Sequence, residues 1–375
     1  MKKIIISDFY PNNYSGGFAI KCFEYLKNIS PENILIIVIK DEMTQGKPED
    51  LLNYKFIEIS PKKSKSFIYL SQYLNFFSSE VLEVLNNDNL DEIILFGEKS
   101  LLGYSKLETK VKTTLYIGDP YSKVLNLRLM YNLSYHKFNL RKLNYLIGVL
   151  IQNFHFIYHF NQKSSLVDEL NYFGIQHTFF WKRICRFKNI ILNKTSISSV
   201  YEESQHVKRE NKVLIVGKLS QIENLFAQHF LSNEVLPKII NHKCFDTISV
   251  HFIGNKNGVI PDLKKIINLN NKRIKLEGFV DRIDDYWYSA KVVLVPTITT
   301  LGVRTRIFSA FGKGCIVVCH SSCKIGIPEL ENNINCLIGS NGVELTNHIY
   351  SVINNQKLFK KIQSGAFLTL KKLIN

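Results

Sequence analysis

Two arginines in the second half of the chain lie at the predicted start of a helix, a position that favours the binding of an anion. Arg304 and Arg306, with Thr305 between them, follow a buried apolar run and a polar loop, and they open a segment of helical periodicity. A helix N-terminus offers nothing to a cation, whereas its free N–H groups attract an anion. The pattern therefore predicts a site for an anion such as a diphosphate; a pair of solvent-exposed arginines is the alternative.

Two junctions between a predicted strand and a predicted helix offer further contacts for an anion. At the first, Gly16 and Gly17 let the backbone approach a bound group closely. At the second, Lys218 follows a buried strand and Asn224 opens the next helix, so a ligand there would meet an ammonium group and backbone amides. The alternatives are a simple turn at the glycines and an exposed loop lysine at Lys218.

A candidate catalytic base lies at the end of another predicted strand. Asp119 follows Thr113–Ile117, so its carboxylate projects at the carboxyl edge of the sheet, where it can take the proton of a substrate hydroxyl. An ordinary Gly-Asp-Pro turn is the alternative. His155 and His159 are further candidates for the base, although histidines in apolar surroundings are typical of a core.

Cysteine usage predicts neither a metal site nor a disulfide framework. The seven cysteines are too few and too scattered for a disulfide-rich secreted protein. Cys315 and Cys319 lie four positions apart on one predicted strand, which places both on the same face as small buried apolar residues. Their spacing, even with His320 and Cys323 nearby, is not that of a zinc site, so we expect no metal and no cofactor.

These residues need an α/β framework to position them. Short apolar runs alternate with segments of helical periodicity, which is typical of a parallel sheet covered by helices. The predicted strands of the first half are Lys3–Ser7, Ile34–Ile39, Lys55–Ile59, Glu92–Phe96, Thr113–Ile117 and Phe154–Tyr158. The predicted helices between them are Gly17–Ile29, Phe67–Leu85, Ser122–Tyr131 and Phe138–Ile151.

The same pattern starts again in the second half. Its predicted strands are Lys212–Val216, Thr247–Ile253, Ile274–Leu276, Val292–Val295, Cys315–Cys319 and Cys336–Ile338. The polar, charged segment Tyr201–Asn211 separates the halves and is the candidate linker. We therefore predict two doubly wound, Rossmann-like parallel-sheet domains with a ligand cleft between them at the carboxyl ends of the strands.

Composition and charge narrow the class of protein. With 375 residues, of which 45% are hydrophobic and 21% charged, the chain has the size of two globular domains, and a disordered chain is excluded. The 48 basic and 32 acidic side chains give a net charge of +16, which favours anionic partners. The apolar run at the N-terminus is too short for a signal peptide, and polar residues interrupt the uncharged stretch 143–162, so we expect a cytoplasmic protein without spanning helices.

Much of the positive charge falls on one segment. Residues 120–201 hold eleven Lys or Arg and only Asp168 and Glu169 as acidic residues, which gives +9, and aromatic side chains are interspersed among them. A basic, aromatic-bearing helical surface suits the anionic headgroups of the inner face of the plasma membrane. The alternatives are a solvated basic face over core aromatics and a nucleic-acid surface, whose binding would fall steeply with salt.

Taken in order, the segments of the second half resemble the nucleotide-binding domain of GT-B glycosyltransferases of the group-1, or family-four, type. The resemblance runs through residues 212–345, in VLIVGKLSQIEN, VHFIGN, KLEGFVDRIDDYWYSAKVVLVP, LGVRTRIFSAFGKGCIVV and CKIGIPEL. The first half matches only in layout and in Gly16-Gly17. The resemblance implies an acceptor domain at 1–203, a nucleotide-sugar domain at 204–355, and a helix at 356–375 that packs back on the first domain.

The resemblance also implies a nucleoside-diphosphate-sugar donor. Lys218, Arg304 and Arg306 become contacts of the diphosphate, and the two glycines at 16 and 17 close over the phosphates. The other donor contacts that it implies are Asn224, Gly254, Phe279, Val280, Thr305 and Ser309. Because these cations can neutralise the leaving diphosphate, the reaction implied is a metal-independent transfer to an acceptor hydroxyl. Given the basic first half, we expect the acceptor to be a lipid-linked or surface glycan.

One departure from the family is plain. Members often carry two glutamates eight positions apart, one near the donor sugar and one on the ribose, and this chain has Leu301 and Ser309 there. A serine can hydrogen-bond a ribose, but more weakly than a carboxylate. The departure leaves open a second hypothesis, a non-catalytic GT-B subunit that scaffolds a glycan-assembly complex.

Overall fold

The chain folds into two α/β units. The computed structural model describes residues 2–12, 17–40, 51–61, 72–77, 79–85, 90–104, 111–136, 140–193, 209–280 and 282–374. The units are Met1–Ser196 and Ile197–Asn375. Each holds one sheet of parallel strands with helices between the strands, so the predicted pair of doubly wound, Rossmann-like domains is confirmed.

The sheet of the first unit has seven strands, and its N-terminal strand lies in the interior of the sheet. Its strands are β1 (Lys2–Ser7), β2 (Ile34–Ile39), β3 (Lys55–Ile59), β4 (Leu90–Phe96), β5 (Lys112–Ile117), β6 (Glu169–Phe173) and β7 (Asn189–Asn193). They lie in the order β3-β2-β1-β4-β5-β6-β7. In β1, Ile5 stands opposite Ile36 of β2 and Ile94 of β4. The strand order reverses at β1, and in such sheets ligands bind beyond the carboxyl ends near the reversal.

Helices cover both faces of this sheet. They are α1 (Gly17–Lys27), α2 (Ser79–Leu85), α3 (Glu98–Gly103), α4 (Tyr121–Tyr135), α5 (Leu140–Ser164) and α6 (Thr178–Ile184), with short 3₁₀ turns at Pro31–Asn33 and Ile175–His177. Because both faces are covered, β1 is apolar on both: Ile4 and Ile6 join the core on one face and Ile5 joins the core on the other.

The second unit repeats the arrangement with a smaller sheet. Its strands are β8 (Glu210–Val216), β9 (Ser249–Ile253), β10 (Ile274–Gly278), β11 (Ala290–Val295), β12 (Ile316–His320) and β13 (Leu337–Gly339), in the order β10-β9-β8-β11-β12-β13. The helices are α7 (Ile222–Phe230), α8 (Leu236–Ile240), α9 (Pro261–Leu269), α10 (Ile283–Ser289), α11 (Arg306–Gly312), α12 (Cys323–Gly326), α13 (Gly342–Asn354) and α14 (Gln356–Ile374). A π-helical turn, Leu231–Val235, joins α7 to α8, and a 3₁₀ turn spans Phe245–Thr247.

One predicted strand is wrong. Phe154–Tyr158 lies inside α5, a helix of 25 residues. Phe156 and Phe160 are buried and four positions apart, while Phe154 and Tyr158 stack on each other on the exposed side, so the period is that of a helix. A short apolar run is ambiguous between strand and helix until its length is known.

Two strands of the first sheet were not predicted. The residues Glu169–Phe173 and Asn189–Asn193 form β6 and β7, although both contain asparagines, which are rare in strands. Hydrogen bonding compensates locally, because Asn193 Nδ2 donates to Asn171 Oδ1 at 2.6 Å across the two strands. Of the predicted helix Phe67–Leu85, residues 67–71 and 78 lie outside the described residues. Residues 72–77 are not α-helical, so the prediction is wrong there, and α2 is the part of it that forms a helix.

The last helix packs within the second unit. Ile362, Ala366 and Leu370 of α14 are four positions apart and are buried in that unit's cores. Of the candidate linker, residues 201–208 lie outside the described residues, and Glu210 already begins β8. The predicted boundaries at 203 and 355, and the predicted packing of 356–375 on the first domain, stay predictions.

None of the helices in the described ranges combines the length and the apolar character that crossing a bilayer requires. The uncharged stretch 143–162 lies within α5.

We predict that Gly365→Ala lowers stability, against the usual preference of helices for alanine. Alanine in a helix interior ordinarily adds up to about 1 kcal/mol relative to glycine. Here a Cβ would lie 2.0 Å from the carbonyl oxygen of Ile334. We therefore expect the free energy of unfolding, measured with urea, to fall by about 1–3 kcal/mol. The exposed neighbour Ser364→Ala is the control and should be neutral; a gain in stability for G365A would contradict this packing of α14.

Candidate functional site

Three neighbouring strands of the second unit end at glycines. Gly217 follows β8, Gly254 follows β9 and Gly278 is the last residue of β10. Gly217 N–H donates to the carbonyl of Ile253 at 2.9 Å, and Gly254 N–H donates to the carbonyl of Gly278 at 2.8 Å. Gly254 has a φ of 139°, and a Cβ there would lie 2.0 Å from the carbonyl oxygen of Gly217. Since no side chain fits at this point, a ligand can approach the backbone closely at the carboxyl edge of β8 and β9.

Arg306, the first residue of α11, reaches across this edge. Its Nη1 donates to the carbonyl of Val216, and its Nη2 donates to Asn224 Oδ1 at 3.3 Å. A Cβ on Gly217 would lie 2.5 Å from Nη1, so the glycine makes room for the guanidinium. Burial, with the positive charge of Arg304, lowers the pKa of Arg306 to about 10. Arg306 therefore remains charged at neutral pH.

The second arginine, Arg304, is more deeply buried than Arg306. Arg304 is buried, donates to Thr299 Oγ1 at 3.3 Å and forms an ion pair with Glu223 Oε1 at 3.8 Å. It precedes α11, so the prediction that both arginines lie in the first turn of that helix is wrong for Arg304. Thr305 occupies the N-cap position without a side-chain hydrogen bond to the helix. Two guanidiniums and one carboxylate leave this place net positive, as an anion requires.

A pocket adjoins Arg306. It is lined by Val216, Gly217, Asn224, Gln228, Pro296 and Arg306, among others. Thr297, the residue after Pro296, is fully buried, and its hydroxyl has no hydrogen-bond partner. An unpaired buried hydroxyl costs about 1–3 kcal/mol. Such uncompensated groups call for an explanation, and a ligand at the strand end is one.

Gln228 fixes the loops around the pocket, and the sequence analysis missed it. Its Nε2 donates to the carbonyls of Leu219 and Gly258 at 2.9 and 3.1 Å, and its Oε1 accepts from the N–H of Ile260 at 2.9 Å. The residue is buried on α7. A glutamine between Ala227 and His229 on the apolar face of a predicted helix is the signal that would have found it.

The other predicted donor contacts are distributed around this edge. Asn224 also donates through Nδ2 to the carbonyl of Lys218 at 2.8 Å, while the Lys218 side chain is exposed. Phe279, just after β10, is 84% exposed, and Val280 packs partly against the core. Ser309 is half-buried on α11, and Leu301 is buried. Gly16 lies outside the described residues, and Gly17 begins α1.

In the first unit, the predicted base has a partner that the sequence analysis did not find. Asp119 follows β5, and its Oδ1 lies 2.5 Å from Nε2 of His177. The histidine follows β6, one of the two missed strands, so nothing in the pattern brought it to the same edge as Asp119. His155 and His159, the other candidates for a base, lie on α5 with ring centroids 4.3 Å apart, and burial lowers the pKa of both.

Two more carboxyls lie at this edge of the first sheet. Asp8, just after β1, accepts from the N–H groups of Lys99 and Ser100 at 2.9 and 2.8 Å. Glu98 accepts from the N–H of Tyr121 at 2.6 Å. Burial raises the pKa of Glu98 to about 8, and the carboxylates of Asp8 and Asp119 add to the shift. Glu98 is therefore largely protonated at neutral pH.

The buried cysteines fit the prediction of small apolar residues. Cys315, Cys319, Cys323 and Cys336 are all buried, and Cys315 precedes β12 rather than beginning it. Across the described part of the chain, His, Cys, Asp and Glu side chains form no group of three or more that could hold a metal ion.

The raised pKa of Glu98 predicts a pH dependence of stability. Between its ordinary pKa of 4.5 and about 8, Glu98 is ionised in the unfolded chain and protonated in the folded one, so the folded state binds more protons. Glu98 therefore makes the free energy of unfolding fall as pH rises through this window and level off above it. We expect Glu98→Gln to flatten this part of the pH profile, measured by urea unfolding at steps of pH. An exposed carboxyl, Glu329→Gln, is the control, and equal profiles for wild type and E98Q would contradict the shift.

The arginine site lies within a recognisable family domain. Residues 210–355 match the family model of glycosyl transferases, group 1. The match covers the bare strand ends, both arginines, Asn224 and Ser309, so the resemblance noted in the sequence is confirmed for this part of the chain. No curated protein matches the chain by sequence.

Solved structures share the fold of the whole chain at low sequence identity. Alr3699/HepE of Anabaena, in complex with UDP-glucose, is 15% identical with a TM-score of 0.65, over 100% of this chain and 96% of that one. Sucrose-phosphate synthase from Thermosynechococcus elongatus is 11% identical with a TM-score of 0.70, over 100% and 95% of the two chains. WaaG, a glycosyltransferase involved in lipopolysaccharide biosynthesis, is 10% identical with a TM-score of 0.62, over 98% and 95%. The fold is that of GT-B glycosyltransferases.

Proposed function

We propose that the protein is a glycosyltransferase that moves a sugar from a nucleoside diphosphate to an acceptor hydroxyl. The observation that carries the proposal is the pair of charged guanidiniums beside the bare ends of β8 and β9, in a segment that matches group 1 glycosyl transferases. The complex of Alr3699/HepE with UDP-glucose makes a uridine diphosphate sugar the first donor to test.

The donor is proposed to lie along the carboxyl edge of the second sheet. Arg304 and Arg306 would neutralise the diphosphate, with Lys218, Asn224 and Thr305 adding donors of hydrogen bonds. Gly254, Phe279, Val280 and Ser309 would contact the base and ribose. The exposed ring of Phe279 suits stacking on a base, because its face is open.

The cations would also serve the chemistry. As the bond between the sugar and the diphosphate breaks, negative charge grows on the leaving oxygen, and fixed guanidiniums stabilise that charge without a metal. The acceptor hydroxyl must lose its proton as it attacks, and Asp119 is the proposed base. Each of these roles belongs to a side chain that faces a strand end, which is where parallel α/β sheets bind ligands.

We predict that Arg306→Ala weakens donor binding and lowers turnover by about 10²–10³-fold. Loss of one preorganised donor to a developing oxyanion costs about 10²–10³-fold in rate. The measurement is a panel of UDP-, GDP- and CMP-sugars, read first as the rise in melting temperature and then as donor hydrolysis. Arg282→Ala, which removes an exposed arginine of the same unit, is the control. Failure of every donor to raise the melting temperature of the wild type would count against the proposed function.

We further propose that the acceptor is lipid-linked and that α4 and α5 meet an anionic membrane. Residues 121–164 contain six Lys or Arg and no Asp or Glu. The same two helices expose large apolar side chains, which we call the α4–α5 surface: Met130, Leu133, Leu140, Leu150, Phe154 and Tyr158. Apolar side chains among cations are suited to the headgroup region of an anionic bilayer. A self-associating interface would instead bring two positive faces together.

We predict salt-sensitive binding to vesicles of phosphatidylcholine with a third phosphatidylglycerol, and little binding to phosphatidylcholine alone. Replacing Leu150 and Phe154, the latter 75% exposed, by serine should weaken binding at least about tenfold, because each buried apolar side chain contributes about 1.5–3 kcal/mol. Leu269→Ser, on the second unit, is the control. The proposal would be contradicted if the wild type did not bind vesicles but sedimented as a dimer, and the double variant sedimented as a monomer.

A second candidate function follows from Leu301 and Ser309. With neither family glutamate present, the protein is alternatively a non-catalytic GT-B subunit that scaffolds a glycan-assembly complex at the membrane. The buried position of Leu301 favours this alternative, because a side chain packed in the core does not contact a sugar. Donor hydrolysis by the purified wild type, lost in R306A, would exclude it.

A further inference from the structure

Asp119 and His177 differ in how far their side chains are exposed to solvent. Asp119 is 30% exposed, whereas His177 is 1% exposed. The two residues follow β5 and β6, which are neighbours in the sheet, so their side chains meet at its carboxyl edge. His177 sits at the end of the 3₁₀ turn Ile175–His177, which begins after Gly174 with a φ of 105°. The carboxylate of Asp119 is therefore accessible to solvent, whereas the imidazole of His177 is buried.

The buried imidazole of His177 lowers the stability of the fold. Nδ1 of His177 is buried without a hydrogen-bond partner, and so are both amide atoms of Gln176 and Nε1 of Trp181. An unpaired buried polar group costs about 1–3 kcal/mol, so an apolar residue would serve packing better than His177 does. Because Nδ1 has no acceptor beside it, the favoured tautomer carries its proton on Nε2 and donates that proton to Asp119.

Two further carboxyls, Glu98 and Asp8, lie at the same edge as Asp119. Glu98 lies close enough to Asp119 for their charges to interact, and its carboxyl is largely protonated at neutral pH for the reasons given above. Asp8 is occupied by the N–H groups of Lys99 and Ser100. Of these three carboxyls, Asp119 is the one that receives an imidazole N–H.

We propose that His177 is a positioning residue for Asp119: its Nε2–H fixes the orientation of the carboxylate that takes the acceptor proton. The inference rests on the proposed function. As the acceptor oxygen bonds to the sugar carbon and the bond from that carbon to the diphosphate breaks, the acceptor proton passes to the Asp119 carboxylate. His177 keeps its Nε2 proton throughout and acts only by orienting the carboxylate through this hydrogen bond.

The test compares two replacements at position 177. His177→Gln keeps an N–H donor at a similar reach, whereas His177→Leu removes the donor and keeps an apolar volume. We expect H177L to lower kcat of sugar transfer by about 10²-fold with little change in KM for the donor, because a misplaced catalytic group costs about that much. H177Q should retain most of kcat, and Asp119→Asn should be at least as impaired as H177L.

A control separates positioning from stability. Trp181→Phe leaves a cavity in the core next to this segment and should lower the melting temperature without a comparable loss of kcat. Equal loss of kcat in H177Q and H177L, or kcat in H177L within twofold of the wild type while D119N is inactive, would overturn the inference.

An NMR measurement keeps the inference testable apart from activity. With ¹⁵N-labelled histidine, we expect His177 to show the neutral tautomer with its proton on Nε2, and D119N to change the shift of that nitrogen. The opposite tautomer, or no response to D119N, would overturn the pairing whatever the activity. Absence of transfer by a wild type that shows the expected NMR signals would instead count against the proposed function.

Discussion

The hydrogen bond from Arg306 to the carbonyl of Val216 is the constraint on which the candidate donor site depends. It holds a guanidinium against the end of β8, and it is possible only because Gly217 has no side chain in the way. Asn224 holds the other end of the same group. A cation fixed by the main chain of a core strand keeps its position when an anion arrives, so little of the binding energy is lost in ordering it.

The two units use the same physical arrangement with opposite charge. Parallel strands end at one edge of a sheet, and the groups that follow them are brought together there without any long connection. In the second unit this edge collects arginines, and in the first it collects Asp8, Glu98 and Asp119. Both edges contain groups that reduce stability, such as the unpaired hydroxyl of Thr297 and the imidazole of His177. Such costs are typical of positions kept for function rather than for packing.

The sequence was sufficient for the features that depend on local pattern. Apolar runs predicted eleven of the strands to within a few residues. The charge and spacing of Arg304 and Arg306 marked them as candidates for an anion site, which stays a prediction. What it missed depends on tertiary contacts. The strand Glu169–Phe173 is held by its neighbours in spite of Asn171, and without that strand His177 could not be placed beside Asp119. The raised pKa of Glu98 also depends on folding, because folding buries this carboxyl beside Asp8 and Asp119.

The replacement of the family glutamates changes the electrostatics of the donor site in one direction. Leu301 is buried and Ser309 is neutral, so the negative charge that two carboxylates would bring beside the diphosphate is absent from these two positions. One carboxylate does lie near the arginines, because Glu223 forms an ion pair with Arg304 at 3.8 Å. In the proposed donor site, two guanidiniums therefore face a single carboxylate, and the balance of charge favours an anion more than it would with both glutamates present.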